Sequence, residues 1–146
     1  MKSFGAQVSD WVKQTEGVLE AVVKESVQRV ISEAQKPVGR GGRMRIDTGF
    51  LRASGQASTS AMPTIDGANV PGPGVTYNYN EGAIALVILG AQMGQTIYFG
   101  YTAGYAAARE YGARGQSPDA FVRMAAKQWP LIVKQVSREA LARSLT

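Results

Sequence analysis

The chain contains 146 residues, of which 45% are hydrophobic, and it has neither cysteine nor histidine. This composition excludes disulfides, thiolate and imidazole metal ligands, cysteine nucleophiles and histidine-dependent catalytic triads. The net charge is +5, but no Lys or Arg lies between Ala53 and Ala108. We therefore expect one domain over residues 1–146, basic at both ends, that uses no cofactor, metal ion or small-molecule ligand.

Residues 3–36 are predicted to form one long amphipathic helix, because apolar side chains recur there with a period near 3.6 residues. Pro37 ends the helix, since the residue before a proline avoids the helical region. At 1.5 Å per residue the helix would be about 50 Å long, which exceeds the width of a domain of this size. Its overhanging part is expected to pack on a neighbouring molecule. The candidate interface residues there are Phe4, Val8 and Trp11.

A glycine- and arginine-rich loop, predicted to be flexible over residues 37–46, leads into the triplet Asp47-Thr48-Gly49. In a homodimeric aspartic protease of the retroviral type, Asp47 would share a proton with its counterpart in a second copy. The segment VILG at 87–90 resembles an apolar element that packs near such a site. The chain segment entering the triplet is basic rather than apolar, however, and the bulky Phe50 follows it.

A structural turn explains the same triplet with fewer requirements. Asp47 would accept hydrogen bonds from backbone amides two residues further on, and Gly49 would adopt a positive φ that other residues avoid. Leu51 would then point into the core and Arg52 away from it. The sequence favours this interpretation, with the protease as the alternative.

The central region is predicted to supply three strands. They are residues 50–62, the apolar run 83–89, and residues 96–102, and the last two would form a hairpin over 83–102. Between the first two strands, residues 63–82 are rich in Gly, Pro and Asn and are expected to form a long flexible loop. Tyr77 and Tyr79 in this loop are candidates for a partner contact.

Two helices are predicted after the strands. A short one within residues 103–112 is closed by Gly112, and a longer one begins at the Ser117-Pro118-Asp119 signal and continues to about residue 144, with a kink at Pro130. The order of helix, three strands and two helices predicts an α+β fold with a small antiparallel sheet.

The basic residues allow two interpretations. They either meet carboxylates of a neighbouring subunit or face DNA, and the second possibility leaves a DNA-binding accessory protein as a further alternative. Glu110 is expected to pair with Arg114 or Arg52. The cationic candidates are Arg40, Arg43 and Arg45 in the loop, and Arg123, Lys127, Lys134 and Arg138, which a single helix would place on one face.

Three segments together resemble a family of small tailed-phage proteins. IDTGFLRAS (46–54) is similar to its P-[VI]-D-T-G-x-L-R-x-S stretch, YAAAREYGARG (105–115) to its Y-A-x-x-x-E-x-G segment, and SPDAFVRMAAKQ (117–128) to the P-F-[LM]-x-x-A segment that opens its last helix. The sequence departs from that pattern twice. Residues 37–45 form a Gly/Arg-rich insertion, and Asp119-Ala120 separate Pro118 from Phe121.

The resemblance implies a structural, non-enzymatic component of the phage neck, for head–tail joining, tail completion or tail termination. Such a subunit would form a homo-oligomeric ring, expected to be sixfold, around the channel that DNA traverses. Its other partners would be neighbouring neck and tail-tube proteins in the virion, after assembly in the host cytoplasm. The implied motif residues are Asp47, Thr48, Gly49, Leu51 and Arg52 in the turn and first strand, and Tyr105, Glu110, Gly112, Pro118 and Phe121 further on.

No segment of the sequence has the features of a membrane anchor or an export signal. No apolar run approaches the roughly 20 residues that a membrane-spanning helix needs. The N-terminus carries a lysine but no apolar core of the kind that a signal peptide requires. We therefore expect no membrane contact.

Overall fold

The computed structural model describes residues 1–144, and the side chain of Ser144 is not part of that description. The helices are α1 (Phe4–Gln35), α2 (Phe50–Ala53), α3 (Glu81–Gly90), α4 (Ala106–Tyr111), α5 (Phe121–Lys127) and α6 (Trp129–Ser144), with a 3-10 turn at Val38–Arg40. Strands β1 (Gly55–Ser58) and β2 (Tyr98–Tyr101) pair antiparallel, with Gly55 opposite Tyr101 and Ser58 opposite Tyr98. The α+β class is therefore confirmed.

The C-terminal half of α1 is the element on which the other long helices pack. Helix α6 packs along it in the antiparallel direction, because Arg29 binds Glu139 while Glu25, one turn earlier on α1, binds Arg143. Helices α3 and α5 also contact α1. The guanidinium group of Arg29 lowers the pKa of Glu139. This ion pair therefore stabilises the folded state fully at pH values above the pKa of a glutamate in the unfolded chain. The stabilisation is lost as the pH falls through the lowered pKa of Glu139.

Two hydrophobic clusters meet at Phe99 of β2. One contains Met44, Phe50, Leu51, Tyr101, Ala103, Ala106 and Phe121, and the other is formed by Ile31, Ile84 and Ile88. Phe99 contacts both. The Tyr101 hydroxyl donates to Gln35 Oε1 at 2.9 Å. Burial raises the pKa of Tyr101, so the phenol stays neutral and remains a hydrogen-bond donor.

The predicted strand at 83–89 and the hairpin at 83–102 are wrong, because residues 83–89 lie within helix α3. The side chain of Asn80 accepts a hydrogen bond from the backbone N–H of Ala83 at 3.0 Å, and Glu81 lies in the first turn. Both features stabilise a helix N-terminus. Ile84 and Ile88, four residues apart, share the buried face. The prediction of three strands is thus wrong by one, and β2 pairs with β1, whose last residue, Ser58, lies 40 residues before Tyr98.

The first and last predicted elements after the long helix also change. Residues 50–62 contain the single helical turn α2 and the four-residue strand β1 instead of one strand. The last helix begins at Phe121 and not at Pro118. Its predicted kink is a full break at Gln128, so that Pro130, which lacks an N–H, lies in the first turn of α6, where no donor is needed. The short helix α4, closed by Gly112, and strand β2 lie where they were predicted.

The N-terminal half of α1 projects beyond the rest of the domain. Within residues 1–25, all of which the structure describes, no side chain is buried. Phe4, Val8 and Trp11 are all exposed, as are Val12 and Leu19. Phe4, Val8, Trp11 and Val12 recur at spacings of three and four residues, and Leu19 follows Val12 two helical turns later. Together they form an apolar stripe on one side of the projecting helix, which we call the α1 stripe.

Hydrogen exchange should distinguish the two halves of α1. Packing of an apolar face supplies most helical stability in proteins, and the projecting half of α1 has no such packing among the described residues. In dilute, monomeric protein we expect the amides of residues 4–20 to exchange at least about tenfold faster than those of residues 26–35. Equal protection of both halves in a demonstrated monomer would contradict this expectation.

Candidate functional site

The Asp-Thr-Gly triplet forms a tight turn immediately before α2. Gly49 has φ +82°, as predicted, and its carbonyl accepts from Ala53 N at 2.9 Å. The hydrogen bond expected of Asp47 is made by its neighbour, since Thr48 Oγ1 accepts from Phe50 N at 3.3 Å. Within the described residues the exposed Asp47 carboxylate makes no hydrogen bond or ion pair. The triplet therefore acts locally as a turn.

The loop containing the two candidate tyrosines packs against this turn. Tyr77 N donates to the carbonyl of Thr48 at 2.8 Å, and the Tyr77 ring meets Phe50 edge-on at 4.9 Å. The guanidinium of Arg52 lies 4.7 Å from the centre of the Tyr79 ring. Both tyrosines are half-buried within their own chain. A contact with a partner through them stays a prediction.

Arg52 and Gln35 join the turn region to α1 by a reciprocal pair of hydrogen bonds. Arg52 Nε donates to the carbonyl of Gln35 at 2.9 Å, and Gln35 Nε2 donates to the carbonyl of Arg52 at 3.0 Å. Leu51, which precedes Arg52 in α2, is buried in the core as predicted. Gln35 was not predicted as a site residue, and the available signal was its place in the last turn of the predicted helix, just before Pro37.

Glu110 caps the start of α5. Its Oε2 accepts from Val122 N and its Oε1 from Arg123 N, both at 2.9 Å. Arg123 Nε also donates to Oε1 at 2.9 Å. The partner expected from the sequence, Arg114 or Arg52, is thus replaced by Arg123. Glu110 is a buried residue of α4, and its carboxylate thus connects α4 to the first turn of α5 through these hydrogen bonds.

The remaining motif residues support the same junction. Tyr105 precedes α4 and packs 6.2 Å from Phe50, and Phe121 opens α5 with its ring edge-on to Tyr101 at 5.1 Å. Gly112 ends α4 with φ +85°, where a Cβ would lie 2.8 Å from the carbonyl oxygen of Gln116. Pro118 follows in the exposed connection. The structure therefore brings all three motif segments together around one core.

The basic loop is bound to the segment before α5. Arg45 Nε donates to Asp119 Oδ1 at 2.6 Å, and Arg43 Nε donates to the Asp119 carbonyl at 2.7 Å. Met44 between them is completely buried, and Arg40 is exposed. The two departures from the phage-family pattern, residues 37–45 and Asp119-Ala120, are thus in contact with each other. Asp119 was predicted to start a helix, and it binds this loop instead.

The expected cationic face on the last helix is divided. Arg123 on α5 is occupied by Glu110 and lies over the ring of Tyr111 at 4.8 Å, whereas the break at Gln128 separates it from α6. Lys134 and Arg138 remain neighbours on α6, and both are exposed. Lys127, at the end of α5, is exposed as well.

Two cavities flank the turn. The smaller has a volume of about 250 Å³ and is lined by Asp47, Tyr105 and three arginines, Arg45, Arg52 and Arg109. The larger is an open groove bounded by the basic loop, residues 37–46, and by residues 77–79.

Among the described residues, no three or more Asp or Glu side chains come together to hold a metal ion. No helix within residues 1–144 is both long enough and apolar enough to cross a membrane.

Comparison of the chain with protein-family models, with curated proteins and with solved structures finds no match.

Proposed function

We propose that the protein is a structural subunit of a tailed-phage neck, forming a ring around the DNA channel and joining the head to the tail tube. The observation that carries this proposal is the projecting half of α1, whose apolar stripe is left exposed by residues 1–144. Contiguous exposed apolar side chains such as those of the α1 stripe mark an interaction site. A neighbouring copy that covers it, repeated head to tail, closes into a ring when the rotation per subunit divides the circle.

The roles of the motif residues support an assembly protein. Gly49 permits the turn, Glu110 caps α5, and Phe121 fills the core. These contacts hold the chain in shape and leave its outer surfaces for partners. The contact of Arg43 and Arg45 with Asp119 adds support, because each departure from the family pattern supplies the binding partner of the other.

Oligomeric state tests the proposal directly. The wild-type chain should form closed rings that are visible by electron microscopy and have a single multiple of the subunit mass by native mass spectrometry. The double variant Val8→Asp with Trp11→Asp should remain a folded monomer, because two charges on the α1 stripe would be buried without partners. Lys13→Asp, on the charged side of the same projecting helix, is the matched control and should assemble normally.

The protease alternative predicts a different result. A retroviral-type enzyme would need two Asp47 carboxylates to meet, and it would cleave an unstructured protein at acid or neutral pH. We expect no cleavage. Cleavage that disappears in Asp47→Asn would replace the neck proposal with the protease.

A further inference from the structure

An apolar groove lies between residues 62–65, strand β2 and helices α4 and α5. Its volume is about 430 Å³. Phe99, Tyr101 and Phe121 contribute to its walls, and the exposed side chains of Met62, Ile65 and Tyr111 also line it. We call this feature the β2–α4–α5 groove. Large apolar side chains thus surround an open concave site, which is the usual form of a surface that receives an apolar partner.

The charges in this groove are already neutralised. The Glu110 carboxylate is occupied by two backbone amides and by Arg123, and the Arg123 guanidinium also covers the ring of Tyr111. An occupant therefore needs no charged group of its own to satisfy the groove. Its chemistry is matched by aromatic and aliphatic side chains.

The α1 stripe has that chemistry. Phe4 is 82% exposed and Trp11 is 65% exposed. Since an aromatic side chain buries about 150–250 Å² when covered, these two together present roughly 220–370 Å² of apolar surface. Val8 and Val12 extend the same stripe. The described part of the chain thus carries two apolar surfaces, the convex α1 stripe and the concave groove, and covers neither of them.

A chain cannot fill its own groove with its own stripe. Ala34, near the C-terminal end of α1, lines the groove, whereas Phe4 opens the same helix 30 residues earlier. At 1.5 Å per residue the two are about 45 Å apart along the helix axis. The described α1 is continuous from Phe4 to Gln35, so this separation is fixed. Only another molecule can bring a stripe to the groove.

We propose that the occupant of the β2–α4–α5 groove is the α1 stripe of a second copy of this chain. This inference rests on the proposed ring and names its contact: each subunit inserts Phe4 and Trp11 into the groove of the next. The donor and acceptor surfaces lie at opposite ends of α1, so the contact is head-to-tail, which is the arrangement that generates rings. Pairing of two stripes with each other would instead stop at a dimer and leave both grooves open.

The first experiment places a charge in the groove without changing the fold. Ala107 and Ala108 are consecutive exposed residues of α4, and Ala107 lines the groove whereas Ala108 does not. Ala107→Glu should raise the protein concentration needed for assembly at least tenfold, while Ala108→Glu should assemble like the wild type. Ala107→Lys and Ala108→Lys repeat the comparison with the opposite charge. Circular dichroism and thermal melts confirm that all four variants fold.

The second experiment tests the direction of the contact by mixing two defective variants. Trp11→Asp has an intact groove and a defective stripe, and Ala107→Glu has the reverse. At a concentration just sufficient for wild-type assembly, each variant alone should be monomeric. A mixture should form one-to-one heterodimers that do not grow, because only one competent contact exists between them. Native mass spectrometry distinguishes the two variants by mass.

The outcomes separate this inference from the neck proposal. If Ala107→Glu and Ala107→Lys form rings as readily as the wild type while Trp11→Asp does not, the groove is not the acceptor and the ring itself stands. If mixing yields no heterodimer, the contact is not head-to-tail through this groove. A wild-type chain that stays monomeric at millimolar concentration overturns both the groove and the self-assembling ring.

Discussion

The Gly49→Ala variant is expected to lose about 3 kcal/mol of folding free energy, and Gly49→Val at least as much. Gly49 has φ +82°, and a Cβ built on it would lie 2.5 Å from the carbonyl oxygen of Tyr77. The variant therefore combines an unfavourable backbone angle with a clash against backbone, which has no flexible end to move aside. Thermal melting should show the midpoint falling by roughly 10 °C.

Two other variants separate these causes. Gly74 also has a positive φ, +69°, but no atom lies within 4 Å of a Cβ there. Gly74→Ala should therefore cost only about 1 kcal/mol, which is the backbone contribution alone. Asp47→Asn should change stability by less than about 0.5 kcal/mol, since Asp47 is exposed. Equal losses in Gly49→Ala and Gly74→Ala would show that the approach of Tyr77 is unimportant.

The Glu110→Ala variant is expected to lose about 2–4 kcal/mol, because two backbone amides at the start of α5 would lose their acceptor in a buried site. The same change removes the carboxylate that joins α4 to α5. Chemical denaturation should report the loss as a lower midpoint with an unchanged dependence on denaturant concentration.

Arg123→Ala distinguishes capping from ion pairing at this site. The Arg123 side chain is 48% exposed, so its pairing with Glu110 is partly screened by water. Its removal should cost only about 1 kcal/mol, because both backbone amides still bind the carboxylate. A loss as large as that of Glu110→Ala would mean that the ion pair, and not the cap, dominates.

Features that depend on neighbouring residues were predictable from the sequence. Helix α1 followed from apolar spacing and from Pro37, α4 from its closing glycine, and the positive φ of Gly49 from its place in a turn. Each is determined by atoms within about one turn of the chain, and the sequence displays those atoms directly.

Helix α3 shows where this reasoning fails. Its apolar run is of a length that fits a buried strand or a short helix equally well. Asn80 is the capping residue of α3, but it was assigned to the Gly- and Pro-rich loop at 63–82, so the start of the helix was not predicted. The choice was made by packing, since Ile84 and Ile88 contact Ile31 of α1 and the sheet.

The sequence alone determined which residue types the chain lacks and, locally, the turn at Gly49 and the helices α1 and α4, because these depend on residue type and short-range geometry. The tertiary structure decided which distant groups meet. It paired Glu110 with the start of α5, bound Arg45 to Asp119, and placed the α1 stripe and the β2–α4–α5 groove at opposite ends of one helix. These contacts join residues far apart in the chain, so they depend on how the whole core packs, which no local pattern specifies.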